Sequence, residues 1–141
     1  MIKPGGRKRV RFVNLQKNIA QEKVYRVSVT PVVGDLISDQ TGVKIVIGYE
    51  VLVIVSPANS QPDLVHTRNG TVLTVKNKGT KNILLREGIQ CLPETTEESQ
   101  CDRIGGKRLY PGNNWTVELP QDMPVKYYLS TGNENTVIEF D

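Results

Sequence analysis

The segment Val43-Lys44-Ile45-Val46-Ile47-Gly48-Tyr49-Glu50-Val51-Leu52-Val53-Ile54-Val55 decides how the rest of the chain is read. β-Branched residues dominate it, which favours a strand over a helix. Its 13 residues would extend roughly 43 Å, whereas a common strand has about five or six residues. Side chains alternate between the two faces of a strand. One face therefore carries Val43, Ile45, Ile47, Tyr49, Val51, Val53 and Val55 without a break. The other carries Lys44, Val46, Gly48, Glu50, Leu52 and Ile54, turning from mixed to apolar along its length. Two readings fit this pattern. A central core strand would be covered on both faces. An edge strand would offer unpaired backbone donors and acceptors, and a row of apolar side chains, to another chain. So apolar an edge is an aggregation hazard unless a partner covers it.

Downstream, Ser56-Pro57-Ala58-Asn59-Ser60-Gln61-Pro62 combines two prolines with small polar residues, the mark of a linker. Beyond it the runs shorten: Thr71 to Lys76, Asn82 to Gln90, a short strand between Gly105-Gly106 and Tyr110-Pro111-Gly112-Asn113, Trp115 to Leu119, Val125 to Ser130 and Thr136 to Phe140. Upstream, Lys8 to Asn14 and Glu22 to Val33 read as strands, with Asn18 to Gln21 as the break between them. No helical period stands out, so the fold class is all-β. The chain divides into residues 1–56, a hinge over 57–62, and a second domain over 63–141. The second domain has five or six short strands, enough for a small sandwich. The first has about three and reads as incomplete.

The bulk composition is that of a folded protein, with 38% hydrophobic and 23% charged residues in 141 and a formal charge of +3. The basic excess gathers in Arg7-Lys8-Arg9-Val10-Arg11-Phe12, where charge alternates with apolar residues as on a strand with one solvated face. No nucleic-acid-binding motif accompanies it. No apolar run approaches the length of a membrane span. Met1 to Gly6 has no apolar stretch of signal-peptide type, so an export signal is expected outside this sequence. No nucleophile elbow, phosphate loop or zinc motif is present, and the single histidine, His66, sits in a strand-like run. Asp35 and Asp39 read as a solvated turn. We expect no enzyme activity, no catalytic residue, no metal and no cofactor.

The two cysteines, Cys91 and Cys101, lie too far apart for a C-x-x-C motif. They fit either a disulfide closing a loop, which implies an oxidising compartment, or two unrelated thiols.

The order of these features resembles the periplasmic chaperones of the chaperone–usher pilus pathway, on the divergent, α-fimbrial-like side of that family. Pro4-Gly5-Gly6-Arg7-Lys8-Arg9-Val10-Arg11 is similar to the family's Pro-Gly and basic strand, and Glu22-Lys23-Val24-Tyr25-Arg26-Val27 to its "E-x-x-Y-R" strand. Val43 to Pro57 resembles the long last strand of the first domain, ending at the hinge proline. Asn69-Gly70-Thr71 through Asn77-Lys78-Gly79-Thr80, and then Cys91, Cys101 and Leu109-Tyr110-Pro111-Gly112, resemble the second domain's "G-x-L-x-V-x-N-x-G" strand, disulfide loop and "Y-P-G" turn.

The resemblance implies two immunoglobulin-like β-sandwich domains, a Cys91–Cys101 disulfide and a periplasmic location. It also implies donor-strand complementation, in which the long strand completes a pilin subunit's fold, and delivery of that subunit to an outer-membrane usher. Val43, Ile45 and Ile47 would enter the subunit's groove, with Tyr49, Val51 and Val53 further along the same face.

Two departures stand out. The first domain is about half the family's length, so domain swapping or strand pairing with a second copy is expected. The family's carboxylate-anchoring lysine falls at Leu52, and neither Lys44 nor Arg26 can be assigned its role from sequence. The competing reading is a structural surface component, an immunoglobulin-like pilus subunit or adhesin domain.

Overall fold

A computed structural model describes residues 6–32, 45–95, 97–132 and 134–141. Nine strands run antiparallel: β1 Lys23–Val29, β2 Tyr49–Val55, β3 Leu64–Asn69, β4 Val72–Asn77, β5 Ile83–Gln90, β6 Asp102–Leu109, β7 Asn114–Glu118, β8 Val125–Thr131 and β9 Glu134–Phe140. The described residues contain no α-helix, only one short 3₁₀ turn at Glu98–Gln100. The all-β expectation holds.

Strands β3 to β9 form two sheets, ordered β3-β4-β7 and β6-β5-β8-β9. Alternate residues of each turn inward. Leu73 and Val75 of β4 meet Ile83 and Leu85 of β5, Ile104 and Leu109 of β6, and Val125, Tyr127 and Leu129 of β8 in one buried cluster. Phe140 of β9 closes it. The Tyr127 ring stands edge-on to Trp115, with centroids 6.0 Å apart, and to Phe140 at 5.8 Å. Such pairs add to the stability gained by burial alone. Several buried polar residues interrupt the apolar layer, Asn77 and Gln90 among them. Asn77 donates to the carbonyls of Lys81 and Leu109 and accepts from the Gly79 amide, so its burial leaves nothing unpaired.

The described residues of the stretch before the hinge contribute only the pair β1–β2, which belongs to neither sandwich sheet. Four details depart from the sequence reading. Lys8 to Asn14 forms no strand, because no described segment pairs with it. The long apolar run is a strand only from Tyr49, since its partner β1 ends at Val29. Pro31, just beyond, has no amide to extend the ladder. The Gly105-Gly106 pair is not a strand boundary but the middle of β6. A Cβ on Gly106 would lie 1.9 Å from the Arg86 carbonyl oxygen, so only glycine permits β5 and β6 to approach between the Leu85–Lys107 and Glu87–Gly105 pairs. The sandwich has seven strands rather than five or six, because Leu64–Asn69 pairs along its whole length with β4.

Candidate functional site

The β1–β2 ladder runs from Lys23 opposite Val55 to Val29 opposite Tyr49. Antiparallel pairs share a face. Tyr25, Val27 and Val29 therefore stand beside Val53, Val51 and Tyr49, and the only charge on that face is Lys23 at one end. Part of this face lies under Phe12, Val13 and Asn14, leaving an apolar trough of about 410 Å³ bounded also by Tyr25, Val27, Val53 and Val55. A hydrogen bond of 3.3 Å from Tyr25 Oη to Gln16 Oε1 crosses to the same segment. A two-stranded ribbon with one open apolar face is not a closed core; stable sheets add a third strand or a covering layer.

The opposite face carries Val24, Arg26 and Ser28 beside Ile54, Leu52 and Glu50. Arg26 Nη1 donates to Glu50 Oε1 at 2.6 Å. That hydrogen bond and the adjacent carboxylate charge hold the guanidinium pKa above its ordinary value. Leu52 lies directly opposite Arg26, so the basic group at this level is on β1, not β2.

Among the described residues, no strand pairs with the outer edge of β2. Ile45 to Gly48 precedes it without a ladder partner. Ile45 is 83% exposed, Ile47 63% and Tyr49 66%. For large apolar side chains this exposure is high, and it recurs elsewhere before the hinge, at Val10, Val13, Leu15 and Val32. Tyr49, Val51 and Val53 share one face, as their spacing predicts, whereas Ile45 and Ile47 precede the paired strand. Val43, the first residue of the expected set, lies outside the described residues, as does Lys44.

The ribbon is fastened to the sandwich at one end. Glu22, only 6% exposed, immediately precedes β1. Its Oε2 accepts from the Asn82 backbone N–H at 2.6 Å and from Asn82 Nδ2 at 2.7 Å. Its Oε1 accepts from Ser56 Oγ at 2.7 Å. Its own N–H donates to the Thr80 carbonyl at 3.0 Å. Arg108 donates to Asn82 Oδ1, extending the chain from carboxylate through amide to guanidinium. Ser56 follows β2 and Asn82 precedes β5, so the network ties both chain ends at the ribbon's base to the sandwich. Residues 61–63 are also held: the Thr80 N–H donates to the Gln61 carbonyl and the Lys78 N–H to that of Asp63. Alternation gives no hint of this network, because its members come from four separate segments.

Cys91 and Cys101 form a disulfide across the β5–β6 connection, resolving the alternatives left by their spacing. It lies at the far end of β5 from Asn82. His66 sits in β3, edge-on to Phe140 at 5.1 Å, with Nε2 3.5 Å from the Asp141 carboxylate. That is a packing and surface role.

No protein-family profile matches the chain, and no curated protein matches it. Solved structures do. The crystal structure of the class 5 fimbriae chaperone CfaA superposes with a TM-score of 0.63 at 18% identity, over 87% of this chain and 60% of that one. A chain of a chaperone–tip adhesin complex, described as vital for synergistic activation of CFA/I fimbriae biogenesis, superposes with a TM-score of 0.60 at 20% identity and the same coverage. The chain thus has the immunoglobulin-like fold of fimbrial chaperones and spans 60% of the length of each matched chain.

Proposed function

We propose that this chain acts as a pilus-assembly chaperone, holding pilin subunits through β2 and the residues that lead into it. One observation carries the reading: an apolar strand with an outer edge that no described strand pairs, preceded by exposed Ile45 and Ile47 in the same chain direction. An extended segment of this kind completes another protein's sheet by main-chain hydrogen bonding, while alternate side chains fill its groove. The likeness to fimbrial chaperone structures supports that use of the edge, and one of the two comes from a complex with a tip adhesin.

Val43, Ile45 and Ile47 would fill the subunit's groove, and Tyr49, Val51 and Val53 would extend the joint apolar layer. Residues 57–62 would serve as the hinge between a first domain over 1–56 and a second over 63–141. The periplasm is the expected compartment, which suits the Cys91–Cys101 disulfide, and transfer to an outer-membrane usher the expected next step. No observation favours the reading as a pilus subunit or adhesin domain.

The test is capture of a purified pilin subunit that lacks a donor strand. Ile45 and Ile47 stand 83% and 63% exposed. Burying the exposed parts of two isoleucines is worth roughly 2–4 kcal/mol. Replacing both with Asp removes that gain and adds charge inside the groove, so binding should weaken at least 30-fold, to order of magnitude. The sandwich should melt unchanged. Undiminished capture by the double variant would remove β2 and its approach from the binding role.

A further inference from the structure

We propose that the segment from Arg7 to Leu15 is a docking surface for an anionic phospholipid membrane, held by charge and by shallow burial of apolar side chains. The inference is independent of the reading of β2.

The case begins with how charge is divided along the chain. Six of the 18 basic residues and none of the 15 acidic ones precede Glu22, so the formal charge of +3 divides into +6 before that residue and −3 from it onward. Four of the six cations are Arg7, Lys8, Arg9 and Arg11. All four are exposed, and none pairs with a carboxylate among the described residues. Arg26, Arg68, Arg103 and Lys126, in the acidic remainder, each have such a partner. Clustered cations without counter-charges repel one another and are best satisfied beside a negatively charged surface.

Apolar side chains stand among these cations. Phe12 and Val13 turn towards the trough over β1 and β2, and Gln16 accepts from Tyr25, so the segment is seated on the ribbon. Val10 and Leu15 line no part of that trough and are 65% and 87% exposed. Nucleic acid would satisfy the cations but offers no apolar phase to Val10 and Leu15. Phe12 is the only aromatic in the segment, so there is no row of rings for bases to stack on. A membrane of anionic lipid offers both contacts at once: headgroup phosphates for the cations, and the acyl boundary for the apolar side chains.

The acidic remainder is repelled from the same surface, which turns the sandwich away from the membrane. Each lysine or arginine near an anionic surface strengthens adsorption about fivefold. Four of them set a ceiling of several hundredfold, so the attachment is reversible. A chain held in this way searches a surface rather than a volume for any membrane-held partner.

The test is co-sedimentation of the full chain with vesicles of phosphatidylglycerol and phosphatidylcholine in equal parts, and with vesicles of phosphatidylcholine alone. The chain should bind the anionic vesicles at about 0.1 M salt, where charges act over about 10 Å, and release at about 1 M, where they act over about 3 Å. Replacing Arg7, Lys8, Arg9 and Arg11 together with Gln should weaken that binding at least thirtyfold, with the melting of the sandwich unchanged. Val10→Ser with Leu15→Ser should weaken it roughly tenfold through lost apolar burial. Equal binding to both kinds of vesicle, or indifference to the four Gln substitutions, overturns the proposal. So does tighter binding to a single-stranded oligonucleotide at matched phosphate concentration that ignores the two Ser substitutions, which would make the segment a nucleic-acid site. Capture of a pilin subunit without vesicle binding overturns this inference and leaves the chaperone reading intact.

Discussion

Removing the carboxylate of Glu22 should loosen the β1–β2 ribbon from the sandwich, and the size of the effect depends on what replaces it. Glu22→Gln keeps the shape. Its amide oxygen can face the two Asn82 donors, and its NH₂ can face Ser56, whose hydroxyl turns to accept. All three contacts survive as neutral hydrogen bonds. Bonds to a charged group contribute about 1.5–3 kcal/mol and neutral ones about 0.5–1.5. The exchange should therefore cost about 1–2 kcal/mol, because the bonds share one carboxylate and do not add. Glu22→Ala leaves the Asn82 amide and Nδ2 without acceptors in a buried setting. Each stranded donor costs about 1–3 kcal/mol, so the total should be about 3 kcal/mol or more. Amide hydrogen exchange supplies the assay. The Asn82 N–H should lose protection modestly in Glu22→Gln and strongly in Glu22→Ala, with the β1–β2 ladder following it and the β5–β8 ladder changing least. If the two variants behave alike, the carboxylate is not what satisfies Asn82, and the fastening of the ribbon must be sought elsewhere.

Two further outcomes follow from the sandwich. Replacing Cys91 and Cys101 with Ser together should lower stability by up to ~3 kcal/mol through the freed loop, read as a shift of the urea midpoint without loss of the β-sheet circular dichroism. Burial pushes the Tyr127 hydroxyl pKa up to about 12, whereas an unfolded tyrosine ionises near 10. The folded state then holds its proton more tightly, so stability is fully present below about pH 10 and declines as pH rises from there towards 12. Tyr127→Phe should show a smaller loss of stability than the native chain on going from about pH 9 to pH 11; parallel losses would show that Tyr127 is not the group responsible.

The alternation of Val43 to Val55 was enough to group Tyr49, Val51 and Val53 on one face, because period-two patterning reports side-chain direction whatever lies beyond the strand. It could not say where the strand begins. A strand's length is fixed by its partner, and β1 ends at Val29, so Ile45 to Gly48 has strand composition without a ladder. Lys8 to Asn14 fails as a strand for the same reason. At Gly105-Gly106 the composition pointed the other way: glycine usually ends a strand, but here it admits the Arg86 carbonyl at close quarters. The Cys91–Cys101 bond could not be decided by spacing alone, since ten intervening steps suit a loop or two separate thiols. The Glu22, Ser56, Asn82 and Arg108 network was illegible altogether. Single polar residues at strand ends carry no periodic signal, and only the folded chain brings them within bonding distance.

Fixing a ribbon at its root, with no described strand flanking its tip, makes it a cantilever. From Val55, beside the anchored base, to Tyr49 is about 20 Å of extended chain. A swing of about 10° at Ser56 would carry the tip by about 3–4 Å, close to the roughly 4.8 Å that separates neighbouring strands in a sheet. Small torsional adjustments beside Pro57 are thus amplified where a guest strand would dock. If the edge docks a guest as proposed, a mutation at the root would change what the tip grips without touching it.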